Sequence, residues 1–217
     1  MAWVHETTVQ GHKVAWKKMH IRTRSRRGVK EMKEVEVLKK LSHVHMVVLV
    51  GTFTHERVLG LLLHPVAVCD LQSFFEDAQA YLSNSAEDSQ MLRLNALEYV
   101  TKQELGLAWP IYSQLGCLVS AVAYLHSQSI RHKDLKPSNV LLSKNRLYIS
   151  DFGHATDFSL LTQSATEGGC GTPRYLSPEV CTSSSLLIVI TTESFTGRSE
   201  KSRRACSGYL LTRLYIP

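Results

Sequence analysis

The stretch from Ile130 to Gly153 constrains this chain more than any other. It opens Ile130-Arg131-His132-Lys133-Asp134-Leu135-Lys136-Pro137-Ser138-Asn139 and runs directly into the apolar Val140-Leu141-Leu142. A carboxylate, a lysine two residues on and an asparagine five residues on therefore share one short polar loop. A second apolar piece, Leu147–Ile149, leads into Asp151-Phe152-Gly153. Short apolar runs bounded by polar turns predict strands, so each acidic group is expected beside a strand end.

The flanking sequence supplies sheet on one side and helix on the other. Residues 1–18 read as strand with a turn near Val9–Gly11, and Val14-Ala15-Trp16-Lys17 is a buried-strand run. From Lys30 to Leu41 the apolar positions Met32, Val35, Leu38 and Leu41 predict an amphipathic helix. Val47–Val50 and Val58–Leu63 are strand candidates around a Thr54–Arg57 turn, and Pro65 stops the pattern because it cannot donate to a sheet ladder. Residues 76–106 are polar and helix-tolerant, with a break at Ser83-Asn84-Ser85. Tyr112, Leu115, Leu118, Val119, Val122 and Leu125 mark a periodic helix, and residues 154–173 read as a long loop rich in Ser, Thr and Gly. The order implies an α+β chain with two lobes.

Composition adds limits. The 217 residues suffice for one sizeable domain or two small lobes. Five scattered cysteines with no CxxC pair argue against a disulfide framework or zinc knuckle and suggest a reducing, intracellular setting, cytoplasmic or nuclear. No signal-peptide pattern or membrane span is read in the sequence. The net charge of +6 concentrates between Lys17 and Lys33. Without interleaved aromatics this segment reads as a solvated loop entering a helix rather than a nucleic-acid surface. His43 and His45, two apart, sit between helix and strand and read as structural rather than metal ligands.

The paired motifs resemble the catalytic loop and the DFG turn of eukaryotic-type serine/threonine protein kinases. The resemblance implies a protein kinase-like two-lobe fold, with a partial N-lobe over 1–64, a partial C-lobe over 65–180 and an unmatched tail over 181–217. It implies ATP and Mg²⁺ as cofactors and a protein substrate bearing Ser or Thr. Asp134 would orient the substrate hydroxyl and accept its proton, and Lys136 would steady the γ-phosphoryl. Asp151 and Asn139 would hold Mg²⁺. Lys17 would contact the phosphates and pair with Glu34. Ala15 and Leu141 would sandwich the adenine, Val66 and Ala67 would form the hinge behind it, His64 would guard the back pocket, and Asp70 would reach the ribose. Leu38, Leu49, His132 and Phe152 match the family's regulatory stack. Lys136 within Asp-Leu-Lys-Pro-Ser-Asn is typical of the serine/threonine class. Gly171-Thr172-Pro173-Arg174-Tyr175-Leu176-Ser177-Pro178-Glu179 resembles the end of an activation segment, with Ser164 and Thr166 as candidate phosphorylation sites and Thr172 near Asp134. Lys133 stands where the family has arginine, keeping the charge while losing bidentate geometry.

The pattern departs from the family at both ends. A glycine-rich phosphate loop belongs before Trp3, and an Asp-led helix belongs after Glu179, where Thr182–Phe195 match nothing. Ser202 is followed by Arg203-Arg204 in place of Asp-Val, the change a one-base frame shift produces. These departures predict a fragment truncated at both ends, with little or no kinase activity. They leave two further readings open, a nucleotide-binding pseudokinase scaffold and a non-functional product.

Overall fold

A computed structural model describes residues 3–20, 27–104, 111–144, 146–159 and 171–175. The chain divides into two units, 1–171 and 172–217. In the second, Pro173–Tyr175 form a single 3-10 turn in which the Tyr175 N–H donates to the Thr172 carbonyl. Every other element among the described residues lies in the first unit.

Its opening element is a four-stranded antiparallel sheet. Strands β1 (Trp3–Val9) and β2 (His12–His20) are joined by Gln10-Gly11, both at positive φ, as a tight hairpin requires. Strands β3 (Val48–His55) and β4 (Val58–His64) complete the order β1-β2-β4-β3. Helix α1 (Arg27–Lys40) lies between β2 and β3 in sequence and buries Val35, Val37 and Leu38. The expected strands and turn are all present here, and the β3–β4 turn narrows to Glu56-Arg57.

Two side chains in the predicted apolar faces point elsewhere. Met32 is 53% exposed, and Val37 takes a place in the core instead. Stepping by three residues loses about 60° per step against a turn of about 3.6 residues, so Met32 cannot share a face with Leu41. On α5, Val119 lies about 100° around the axis from Leu118 and is 71% exposed, whereas Ala121 and Leu125 are buried.

After β4 the chain forms a two-residue strand β5 (Cys69–Asp70) and three helices, α2 (Leu71–Leu82), α3 (Asp88–Ala96) and α4 (Tyr99–Glu104). The break expected at 83–85 separates α2 from α3. Asp77 on α2 is almost fully buried and meets Arg93 of α3 in a bidentate pair, both nitrogen–oxygen distances 2.7 Å. Helix α5 (Ile111–Ser127) leads to β6 (Ile130–Arg131), the hairpin β7 (Val140–Ser143) and β8 (Arg146–Ile149), and β9 (Thr156–Asp157). β5 pairs with β7, and β6 with β9.

One hydrophobic core joins α1, β4, α5, β6 and β8 through Leu38, Leu61, Leu125, Ile130 and Ile149. Packing is therefore continuous across the boundary at residue 64 expected from sequence. A second core gathers Phe74, Leu94, Leu97 and Leu142 around α2 and α3.

The outer side of the sheet carries a tight aromatic contact. Trp16 and Phe53 lie with ring centroids 5.4 Å apart. A Cβ on Gly60 would fall 2.4 Å from the Phe53 ring and 2.8 Å from Trp16 Nε1. Gly60 is thus the gap into which both rings settle. Gly60→Ala is expected to destabilise the fold by about 1–3 kcal/mol through overpacking. In a Phe53→Ala background the same change should cost less, as thermal unfolding followed by circular dichroism would report.

Candidate active site

Lys17 occupies the centre of the sheet, between Val4 on β1 and Leu61 on β4. Strand alternation sends its side chain to the same side as Met19, whose side chain packs in the core with α1. There the Nζ lies 2.7 Å from Glu34 Oε1 of α1 and 2.8 Å from Asp151 Oδ1. Lys17 and Glu34 are both buried. Burial alone would pull the Lys17 ammonium down, but the charges of Glu34 and Asp151 outweigh it and raise its pKa. Burial likewise pushes the Asp151 carboxyl up, and the Lys17 charge and hydrogen bond override this and lower it. Lys17 and Asp151 therefore both hold their charge at neutral pH.

The loop between β6 and β7 is held from beneath. His132 Nε2–H donates to the Ser150 carbonyl at 2.9 Å, and the Asp134 N–H donates to His132 Nδ1 at 3.3 Å, which fixes the neutral tautomer. Ser150 in turn donates through both its N–H (2.9 Å) and its hydroxyl (3.0 Å) to the Asn139 carbonyl. Asn139 Nδ2 donates to the Asp134 carbonyl at 2.8 Å and to Asp134 Oδ2 at 3.2 Å, and Lys136 Nζ lies 2.9 Å from the same Oδ2. Ser150 is the member of this set that sequence reasoning missed. Its signal was faint: one hydroxyl between an apolar strand and Asp151.

Two residues take left-handed backbone geometry here, Lys133 at φ 63° and Asp151 at φ 60°. Gly153 closes the turn, and a Cβ there would lie 3.4 Å from both Asp151 Oδ1 and Glu34 Oε2. Phe152 is buried against His132, ring centroids 5.0 Å apart, in the core that contains Leu38 and packs on Leu49. Leu38 and Phe152 thus share one core, with Leu49 packed against it and His132 against the Phe152 ring.

The remaining expected positions lie along strands and their connections. Ala15 faces Leu63 across the β2–β4 ladder, and Leu141 faces Asp70 across β5–β7. His64 ends β4 exposed, and Val66 and Ala67 are half-buried in the connection to β5. Asp70 caps α2: its Oδ1 accepts from the Gln72 and Ser73 N–H groups at 3.0 Å, and its Oδ2 from the Ser73 hydroxyl at 2.9 Å. Its neighbour Cys69 has its thiol pushed up to about 12, by burial first and then by the charges of Asp70 and Asp77. His43 stacks on Tyr124 at 4.8 Å, and His45 Nδ1–H donates to the Leu147 carbonyl at 2.9 Å, both structural uses. Lys133 and Arg131 lie over the Phe158 ring, 5.5 and 4.3 Å from its centroid. Ser164, Thr166 and the segment 181–217 lie outside the described residues, and Thr172 belongs to the second unit.

The description "Protein kinase domain" matches residues 4–188. The chain belongs to the protein kinase family. The match extends beyond residue 180, where the motif resemblance ended. Curated relatives include "Probable serine/threonine-protein kinase fhkE" of Dictyostelium discoideum, 30% identical over 79% of this chain and 21% of that protein. Another is serine/threonine-protein kinase nekl-2 of Caenorhabditis elegans, 29% identical over 69% of this chain and 38% of its own. The human cAMP-dependent protein kinase catalytic subunit PRKX is 31% identical over 68% of this chain and 33% of that protein. The chain therefore spans well under half the length of these kinases. Among the described residues no helix is long and apolar enough to cross a membrane.

His132 gives a pH test of this site. Burial is the largest influence and lowers its pKa, partly offset by its hydrogen bond to Ser150. The folded state then binds fewer protons than the unfolded state as pH drops below the ordinary histidine value of about 6.5. Stability is present above that pH and lost as pH falls. His132→Phe should lower stability at pH 7.5 by orphaning the Ser150 carbonyl, yet flatten the decline between pH 6.5 and 5 that denaturant titration measures. His43, also lowered by burial, keeps its own part of that slope.

Proposed function

We propose that this chain transfers the γ-phosphoryl group of ATP to Ser or Thr hydroxyls of a protein substrate. The observation that carries the reading is the buried Lys17 ammonium held between Glu34 and Asp151. Such a cation, fixed before substrate arrives, can meet phosphate charge without reorganising.

The residues fit a magnesium nucleotide. Three carboxylates, Glu34, Asp134 and Asp151, face two ammonium groups, Lys17 and Lys136. This grouping of carboxylates suits a cation. Asp151 is half exposed, and the Asn139 amide nitrogen is already committed to Asp134, which leaves its oxygen as the ligating atom. No group of three His, Cys, Asp or Glu gathers a metal by itself among the described residues. Magnesium bound through one or two carboxylates plus substrate phosphates needs none. When bound, it would neutralise the phosphate oxygens and hold them in line with the acceptor.

In this reading Asp134 orients the incoming hydroxyl and takes its proton, and Asn139 holds the Asp134 carboxylate in place. Lys136, already paired to Asp134, offsets charge on the moving phosphoryl. Ala15 and Leu141 sandwich the adenine, Val66 and Ala67 present backbone groups to it, and His64 borders the back of that pocket. Asp70 faces the ribose with the lone pairs its capping bonds leave. Preference for Ser and Thr over Tyr rests on Lys136.

Asp134→Asn tests the assignment. Phosphate transfer to a Ser/Thr/Tyr peptide library should fall about 10²–10⁴-fold, while ATP-dependent thermal stabilisation persists. Transfer undiminished in this variant would remove Asp134 from the chemistry. Stabilisation of the wild-type chain by ATP and Mg²⁺ with no transfer would make it a nucleotide-binding scaffold.

A further inference from the structure

Glu34 reaches Lys17 only if α1 sits at one rotation about its axis. The apolar face of α1, with Val35, Val37 and Leu38, supplies most of its attachment, but hydrophobic contact is non-directional and tolerates small rotations. A directional contact lies at the edge of this face. Lys33, Glu36, Val37 and Lys40 follow helical spacing and, with Ala155, Thr156, Asp157 and Ser159, line a groove of ≈ 350 Å³. Across it Lys40 Nζ pairs with Asp157 Oδ2. Asp157 is itself fixed, because its Oδ1 accepts the Ser159 N–H at 2.8 Å and its backbone stands opposite Ile130 in the β6–β9 ladder. Ile130 lies just ahead of His132 and Asp134.

We propose that the Lys40–Asp157 pair is a positioning device that sets the rotation of α1 from the strand pair leading into the catalytic loop. Glu34 and Lys40 lie about a third of a turn apart around the helix axis. Anchoring Lys40 on β9 therefore directs Glu34 toward Lys17. Neither Lys40 nor Asp157 touches nucleotide or substrate; both act through Glu34. The link to catalysis rests on the phosphoryl-transfer reading above, whereas the link to α1 does not.

The pair is partly exposed, with side chains 55% and 26% accessible, so its effect is modest. An ion pair of this kind shifts an equilibrium by about two- to five-fold. Lys40→Met and Asp157→Asn should each speed hydrogen exchange of the α1 amides by that factor and weaken MgATP affinity of the full chain equally. The exchanged pair, Lys40→Asp with Asp157→Lys, should recover both. Lys39→Met removes the same charge one residue away and should change neither. Unaltered α1 exchange in both single variants would overturn the proposal. So would an equal rise in Lys39→Met, or failure of the exchanged pair to recover. If the wild-type chain does not bind MgATP, the phosphoryl-transfer reading fails, and α1 exchange still decides whether the pair positions the helix.

Discussion

An ammonium group taken out of water must find negative charge or give up its proton. Lys17 finds two carboxylates, and their sources explain much of the architecture. Glu34 comes from the helix that follows the strand bearing Lys17; Asp151 comes 134 positions later. Neither approach is feasible unless α1 lies across the sheet and β8 ends beside it. The shared core of Leu38, Leu61, Leu125 and Ile149 brings this about. A lone buried charge would strongly disfavour the packed state, so pairing and packing are mutually dependent.

Around this pair the two acidic loops are woven together by main-chain groups. Ser150 gives its carbonyl to His132 and both its donors to Asn139, so the segment before Asp151 cannot shift without the segment around Asp134. The left-handed residues Lys133 and Asp151 each cost about 1–3 kcal/mol and persist only where neighbours over-determine the geometry. The Ser150 bonds and the buried Phe152 ring provide that over-determination. The backbone is set before any substrate arrives, which is what positioning chemistry requires.

Much of this was legible in the sequence. Apolar runs of three to six residues between turn signals marked β3, β4, β7 and β8, and Pro65 marked the end of β4. The polar loop and Asp151-Phe152-Gly153 marked the site because their spacing is short and local. What escaped was long-range or angular. Met32 was assigned to an apolar face by counting in threes and Val119 by being apolar within a periodic run, and the true helical repeat rotates both into solvent. The helix-capping bonds of Asp70 needed knowledge of where α2 starts. Ser150 and the Lys40–Asp157 pair join segments that no sequence window spans.

Cys69 illustrates how the fold tunes a group it does not otherwise employ. It sits in the short strand after the connection holding Val66 and Ala67, at a place where a reactive sulfur would be conspicuous. Only the thiolate attacks electrophiles, peroxide or another disulfide. With the thiol pushed up to about 12, the anionic fraction at neutral pH is on the order of one in 10⁵. Burial does most of this, and the carboxylates that cap α2 and lock it to α3 add to it. Oxidative damage and covalent labelling should pass Cys69 by for as long as those two helices stay folded.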